Sequence, residues 1–151
     1  MPEPNQRPAM LCFPYAGASS SIYRGWQELF AEVTDVVGVE MPGHGRRRNE
    51  PLARSMPELI GALLPQAEPH ARGPLPYVLY GHSLGALAAF ELAHAFTDAE
   101  RPPAALIVSG RNGPSRPAAI APIHHLPDED FLAALASFGG TPLQFLTDPS
   151  S

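Results

Sequence analysis

Pro76-Tyr77-Val78-Leu79-Tyr80-Gly81-His82-Ser83-Leu84-Gly85 is the stretch that best predicts the fold, and it continues into Ala86-Leu87-Ala88-Ala89-Phe90-Glu91-Leu92-Ala93. One serine, Ser83, thus lies between an apolar run and a helix-like stretch. The apolar run predicts a buried strand, and the alanine-rich stretch predicts a helix. A Gly-x-Ser-x-Gly sequence between a strand and a helix is a nucleophile elbow, in which the serine sits on a sharp turn with its hydroxyl exposed. The sequence therefore predicts that Ser83 is a catalytic nucleophile.

Two glycines and one amide complete the predicted elbow. A strand and a helix joined by so sharp a turn lie too close for side chains at positions 81 and 85, which explains Gly81 and Gly85. The helix begins near Leu84 and directs its free amides and positive dipole end at the reacting centre, so the Leu84 N–H is a candidate oxyanion donor. The alternative is a glycine-flanked turn without catalysis in a parallel α/β protein.

Strand and helix signals alternate along the rest of the chain. Apolar runs ended by proline or glycine predict strands at residues 9–13, 36–39 and 104–108, besides the strand before Ser83. Helical periodicity predicts helices at residues 21–30 and 56–66, and Ser55 with Glu58 has the spacing of a capping box. Apolar strands separated by helices predict a mostly parallel sheet with helices on both faces.

Residues 112–151 follow a different pattern. A loop rich in proline and glycine precedes a predicted amphipathic helix at residues 128–138, which has acidic residues at its start and Gly139-Gly140 at its end. Periodicity alone leaves two interpretations open: a surface-packing helix, or a lid over the serine.

Length and charge limit the possible classes of protein. The chain has 151 residues, 44% of them hydrophobic, and a net charge of -5, which predicts one domain and disfavours nucleic acid and membrane surfaces as partners. No signal sequence or membrane-spanning run is evident, so a cytoplasmic location is expected. Cys12 is the single cysteine and is expected to be packed in the core. No histidine has metal-ligand spacing, so no metal is expected.

Six segments carry a resemblance to a known family. They occur in order along the chain: Cys12-Phe13-Pro14-Tyr15-Ala16-Gly17, Pro42-Gly43-His44-Gly45-Arg46, Gly81-His82-Ser83-Leu84-Gly85-Ala86, Phe90-Glu91-Leu92-Ala93, Val108-Ser109-Gly110-Arg111 and His125-Leu126-Pro127-Asp128. Together they resemble the type II, or editing, thioesterases of polyketide and nonribosomal peptide (antibiotic) biosynthesis. The resemblance implies the α/β-hydrolase fold and hydrolysis of acyl thioesters from the phosphopantetheine arm of acyl or peptidyl carrier proteins, with no cofactor of the enzyme's own.

The resemblance also assigns roles to individual residues. Ser83 matches the family's nucleophile, and the backbone amides of Leu84 and Ala16 match its oxyanion hole. Pro127 and Asp128 match the start of the family's helical lid, which favours the lid interpretation. Residues 1–111 then correspond to the N-terminal part of the hydrolase core and residues 112–151 to the beginning of a lid region.

The general base and its acid match no position here. The family places both beyond the lid, whereas this sequence ends at Ser151, so we expect a fold that is incomplete at its C-terminus. Asp98 lies about 22 Å along the elbow helix from Ser83, which is too far to serve as the acid. His124 or His125 is disfavoured as the base. Two alternatives stay open: a general esterase or acyltransferase of the same fold, and an inactive truncated remnant.

The run Arg46-Arg47-Arg48 allows two interpretations. It could meet an acidic carrier protein or the phosphate of its arm, but a solvent-exposed basic loop is favoured because short charge runs are usually surface. The ring of His82 is expected to matter less than its backbone.

Overall fold

The computed structural model describes residues 7–118 and 120–139. The chain divides into two compact units, Met1–Arg111 and Asn112–Ser151. The assignment of residues 1–111 to the hydrolase core and of residues 112–151 to the beginning of a lid stays a prediction. No helix of the described residues is long and apolar enough to cross a membrane.

The first unit contains a four-stranded parallel sheet. Its strands are β1 (Ala9–Phe13), β2 (Asp35–Gly38), β3 (Tyr77–His82) and β4 (Ala105–Ser109), in the spatial order β2-β1-β3-β4. Leu11 of β1 lies in register with Val37 on one side and with Leu79 on the other. The predicted parallel sheet is confirmed, with each strand within one or two residues of its predicted bounds.

Helices cover both faces of this sheet, as predicted. They are α1 (Arg24–Leu29), α2 (Met56–Arg72) and α3 (Leu84–Asp98). Leu11 and Phe13 of β1 pack in the core formed with α2 and α3, while Met10 and Cys12 point to the opposite face, in the cluster that includes residues of α1. Cys12 is fully buried, and this burial raises the pKa of its thiol to about 12. Cys12 is thus a packed core residue, as expected.

Helix α2 is longer than the sequence predicted. It continues past residue 66 to Arg72 although Pro65 and Pro69 lie inside it. Both prolines are on the exposed side of the helix, where the carbonyls that lose their N–H partner can bond to water. The buried side carries Leu59, Leu63, Ala67 and Ala71 at four-residue intervals. Burial of that stripe outweighs the two missing hydrogen bonds.

Two helix starts differ in detail from their predictions. The predicted helix at residues 21–30 is a 3-10 turn, Ser20–Tyr23, followed by the short α1. Ser55 caps α2 by accepting from the Glu58 amide at 3.3 Å, but the Glu58 carboxylate accepts from the Arg54 amide at 2.9 Å rather than from Ser55. The capping box is therefore present with its return bond shifted by one residue.

The second unit contains one described helix, α4 (Asp128–Ser137). Three acidic residues occupy its first turn, where they face the positive end of the helix dipole. Gly139 follows with a φ of 70° and donates to the carbonyl of Ala136, as expected of a glycine C-terminal signal. Gly140 lies outside the described residues.

Candidate active site

Ser83 occupies a strained turn between β3 and α3. Its φ of 54° and ψ of -113° lie in a region that residues with a side chain rarely adopt. Its amide donates to the carbonyl of Ser109 at 2.9 Å, which ties the turn to the end of β4. The backbone geometry of Ser83 is therefore that of the predicted nucleophile elbow.

The two glycines of the elbow permit contacts between backbones. A Cβ on Gly81 would lie 2.1 Å from the carbonyl oxygen of Gly85, so strand and helix could not approach as they do. A Cβ on Gly85 would lie 2.0 Å from the carbonyl oxygen of Phe13, at the end of β1. Gly81 thus closes the turn itself, and Gly85 lets the start of α3 rest on the neighbouring strand.

The loop after β1 meets the elbow at a shared cavity. Ala18 donates to the carbonyl of Tyr15 at 3.1 Å across a turn in which Gly17 has a φ of 83°. Ala16 and Leu84 both line a cavity of about 330 Å³ beside this turn. The Leu84 amide is in the first turn of α3 and so has no carbonyl partner within the helix. The structure brings together the two residues predicted to hold the oxyanion, and their roles stay predictions.

The cavity beside Ala16 and Leu84 is largely apolar. Its other walls come from the loop after β2 and from the start of α2, with apolar side chains that include Met41, Leu52, Met56 and Leu59. An apolar site with a few polar groups at one end is typical of small-molecule binding sites. The cavity can therefore take an apolar group beside the candidate oxyanion donors.

The position of the elbow in the sheet also favours a binding site. Ser83 follows β3, and the loop that carries Ala16 follows β1. The chain extends the sheet from β1 to β2 on one side and to β3 on the other, so the strand order reverses between β1 and β3. In open parallel sheets, ligands bind at the carboxyl ends of the strands at such a switch point.

The side chain of His82 has contacts that sequence reasoning missed. Its Nδ1 lies 2.9 Å from the hydroxyl of Ser109, and its ring packs edge-on against Tyr15 with centroids 5.9 Å apart. Gly110 has a φ of 68°, and a Cβ there would lie 2.3 Å from the imidazole ring. The ring of His82 thus joins the elbow to β4 and to the loop of Ala16. Gly110, directly after Ser109, was the one sequence signal for this contact, because a glycine leaves room for the imidazole ring.

Three residues were considered and disfavoured as catalytic partners of Ser83: Asp98, His124 and His125. Asp98 is the last residue of α3, about 22 Å along the helix from its start. Within residues 7–111, no hydrogen bond joins the Ser83 hydroxyl to a histidine or a carboxylate. His124 and His125 belong to the second unit, where their rings lie 5.5 Å apart, edge to face.

A buried glutamate organises the loops at the end of β2. Glu40 is only 2% exposed, and its carboxylate accepts from the amide and hydroxyl of Ser20 at 2.9 and 2.8 Å. The same carboxylate accepts from the amide of Arg46 at 3.4 Å. The backbone of Glu40 is paired twice with the amide side chain of Gln66, at 2.9 Å each way. Glu40 therefore links the loop after β1, the basic loop and α2.

The basic run is only partly the exposed loop that the sequence favoured. Arg46 and Arg48 are exposed, as expected. Arg47 is partly buried and donates to the carbonyls of Glu40 and Ala62 at 3.1 and 3.0 Å. It also binds the carboxylate of Glu50, and this hydrogen bonding lowers the Glu50 pKa. The middle arginine is a structural residue because the chain turns it inward.

Comparisons with known proteins identify close relatives of this chain. The family model "Thioesterase domain" matches residues 8–151. The gramicidin S biosynthesis protein GrsT of Aneurinibacillus migulanus is 34% identical over 92% of this chain and 54% of its own length. Thioesterase PikA5 of Streptomyces venezuelae is 36% identical over 97% of this chain and 52% of its own. The chain thus spans about half the length of the curated relatives it matches.

Solved structures give the same family and fold. The type II thioesterase YbtT from the yersiniabactin NRPS/PKS pathway superposes with a TM-score of 0.82 at 31% identity, over 99% of this chain and 60% of that one. The type II thioesterase BorB from the borrelidin biosynthetic cluster gives 0.79 at 37% identity, over 99% and 60%. The parallel sheet with helices on both faces is thus the α/β-hydrolase fold of these thioesterases.

Proposed function

This chain belongs to the thioesterase domain family, and from that membership we propose that it is the part carrying the nucleophile of an editing thioesterase. In this proposal Ser83 removes acyl groups from the phosphopantetheine arm of acyl or peptidyl carrier proteins. The observation that carries it is the strained Ser83 backbone next to the apolar cavity that Ala16 and Leu84 share.

The residues have distinct roles in the proposed reaction. The Ser83 Oγ attacks the thioester carbonyl carbon, its proton passes to a base, and the carbonyl oxygen becomes an oxyanion. The amides of Leu84 and Ala16 donate hydrogen bonds to this oxyanion. The C–S bond then breaks, and the pantetheine leaves as a thiol after protonation. Water adds to the acyl-serine in the same way and releases the acid. The base is assigned to no described residue.

The relatives support the choice of substrate. YbtT and BorB are named as type II thioesterases of biosynthetic pathways, and GrsT as a gramicidin S biosynthesis protein. Assembly lines of this kind carry intermediates as thioesters on pantetheine arms, which agrees with an apolar acyl site beside an oxyanion hole. A carrier-bound acyl thioester is therefore the proposed substrate.

Hydrolysis of three substrates tests the proposal. Acyl carrier protein, acyl-coenzyme A and a p-nitrophenyl ester with the same acyl group are compared by their kcat/KM. We expect the carrier-bound thioester to be preferred, and Ser83→Ala to reduce its hydrolysis at least 100-fold, because the nucleophile is lost. Ser115→Ala, at an exposed loop serine, is the matched control and should leave the rate unchanged.

Two results would contradict this function. Equal hydrolysis by the parent chain and Ser83→Ala would exclude serine catalysis. A preference for the p-nitrophenyl ester would instead indicate a general esterase of the same fold.

A further inference from the structure

A second cavity lies at the carboxyl end of β2 and shares no lining residue with the apolar one. Its volume is about 430 Å³, and its lining includes Ser19, Ser21, Arg24, Glu40, Arg46 and Arg48. With Ser20 and Tyr23, the lining thus contains three arginines and four residues with a hydroxyl group, against one carboxylate. Such a lining offers many hydrogen-bond donors and a net positive charge.

The single carboxylate in the cavity is already occupied. Glu40 accepts from Ser20 twice and from the Arg46 amide, and the Arg46 guanidinium lies 3.9 Å from it. These donors stabilise the carboxylate, and because three arginines face one carboxylate the lining keeps a net positive charge.

Two of the three arginines have unused donors. Within residues 7–111, neither Arg24 nor Arg48 has a hydrogen-bonding or ion-pairing partner for its guanidinium. Both are exposed at the cavity, and the intervening Arg47 is turned inward to Glu50. The basic run thus presents alternate residues, Arg46 and Arg48, to one space. Guanidinium forks are suited to phosphate oxygens, which they bind through two hydrogen bonds at once.

The cavity lies within reach of Ser83 for one particular ligand. Gly38 and Glu40 of its wall are at the end of β2, and Ser83 follows β3. Only β1 separates these strands, so their axes are about 10 Å apart at the usual strand spacing. An extended pantetheine chain, with its two amide units between sulfur and phosphate, is long enough to cover this distance.

We propose that this cavity binds the phosphate of 4′-phosphopantetheine while the acyl thioester lies at Ser83. The inference rests on the proposed function, because the substrate of that reaction carries the phosphopantetheine arm. It assigns Arg24, Arg46 and Arg48 to recognition of the arm rather than to chemistry. The same phosphate occurs on a carrier serine and in coenzyme A, and the recognition is common to both.

Binding of the arm alone tests the inference without hydrolysis. Dissociation constants of 4′-phosphopantetheine and of pantetheine are measured by calorimetry on the parent chain and on Ser83→Ala. We expect the phosphorylated arm to bind about 10-fold more tightly in both. Arg24→Gln and Arg48→Gln should each weaken its binding about threefold and leave pantetheine unaffected. The difference in affinity between 4′-phosphopantetheine and pantetheine should become smaller at high salt concentration.

Arg72→Gln is the matched control. Arg72 is an exposed arginine at the end of α2, paired with Glu68 and absent from the cavity lining, so its loss should change neither ligand's binding. Acyl-carrier and acyl-coenzyme A hydrolysis by Arg48→Gln then compares the two sources of the phosphate, and we expect KM to rise for both.

The inference would be overturned by equal binding of phosphorylated and unphosphorylated arms, or by variants that bind like the parent chain. It would also be overturned if a carrier protein without its arm lost affinity on Arg48→Gln, because the arginines would then recognise the protein surface. A different result would contradict the proposed function itself: Ser83→Ala would hydrolyse acyl carrier protein as fast as the parent chain.

Discussion

The elbow at residues 81–85 and the loops around Glu40 are both closed by glycines, but different atoms meet those glycines. A Cβ on Gly81 or Gly85 would strike backbone, at 2.1 and 2.0 Å. A Cβ on Gly45 would strike the carboxylate of Glu40 at 2.3 Å, and one on Gly38 would meet the Cβ of Ser20 at 2.9 Å. The elbow is thus a packing of main chain on main chain. In the second region the nearest atoms belong to side chains, although the Ser20 carbonyl oxygen also lies 3.0 Å from the Cβ position of Gly38.

This difference affects how each region can respond to change. Backbone atoms are fixed by the strands and the helix that contain them, so the elbow has no way to accommodate an added group. A carboxylate side chain can rotate or be replaced, so the Glu40 region should lose stability in smaller steps.

The largest effect is expected from Gly85→Ala. The added methyl group would overlap the Phe13 carbonyl, so α3 or β1 must move, and we expect a loss of more than about 4 kcal/mol in the free energy of unfolding, or no folded protein. Denaturant unfolding measures this. Gly61→Ala is the matched control: Gly61 lies inside α2 with open space around its Cα, so its replacement should stabilise by about 0.5–1 kcal/mol. Similar results for both substitutions would contradict the backbone packing of the elbow.

Glu40→Ala should cost less than Gly85→Ala. It leaves the partly buried amide of Ser20 without its acceptor. A buried donor left unpaired costs about 1–3 kcal/mol, and the loss here should lie toward the lower end because Ser20 is only partly buried. Hydrogen exchange of the Ser20 amide should accelerate in Glu40→Ala more than that of amides in β3. Glu40→Gln keeps one oxygen as an acceptor and should recover part of the loss. If Ser20 stayed protected in both variants, the carboxylate would not be what holds the loop.

The sequence predicted the elbow but not the contacts of Glu40, and the reason is how far apart the contacting residues lie in the chain. The turn of the elbow depends on residues near each other in the chain, so the spacing of Gly81, Ser83 and Gly85 was enough to predict the turn and its strain. The contact of Gly85 with the Phe13 carbonyl joins distant residues and came only with the structure. The contact of Glu40 with Ser20 spans 20 residues and that with Gln66 spans 26, so no local pattern could indicate it. His82 with Ser109, 27 residues away, was missed for the same reason.

Helix ends show the same limit. The sequence predicted an end to α2 near residue 66, and only the burial of Ala67 and Ala71 in three dimensions explains why the helix continues past Pro65 and Pro69. The start of α2 at Met56 was predicted and its end was not, because the Ser55 cap is a local signal and burial is not.

A smaller effect is expected from relieving the strain at Ser83. Ser83→Gly should raise the free energy of unfolding by about 1 kcal/mol, because glycine adopts a positive φ without steric cost, while Ser83→Ala keeps the strain and should be close to neutral. Glu100→Gly is the control. Glu100 has a φ of 59° in the turn that ends α3, where its amide bonds to Thr97 and that of Arg101 to Phe96, so glycine should stabilise there by a similar amount. A destabilised Ser83→Gly would show that the serine side chain, not the backbone, holds the elbow.

The smallest effect concerns pH and belongs to the side-chain region. Hydrogen bonds from Arg47 lower the Glu50 pKa below its ordinary value of 4.5, so between the two values the unfolded state binds more protons than the folded one. The stability contributed by this pair is present above pH 4.5 and is lost as the pH falls through the folded pKa. Glu50→Gln should therefore flatten the decline in melting temperature on the acid side, while Glu68→Gln, at an exposed pair on α2, serves for comparison. Because Arg47 also holds the carbonyls of Glu40 and Ala62, the loop should stay folded in Glu50→Gln. If the decline in melting temperature at acid pH were the same in Glu50→Gln as in the parent chain, Arg47 would be held by these carbonyls alone.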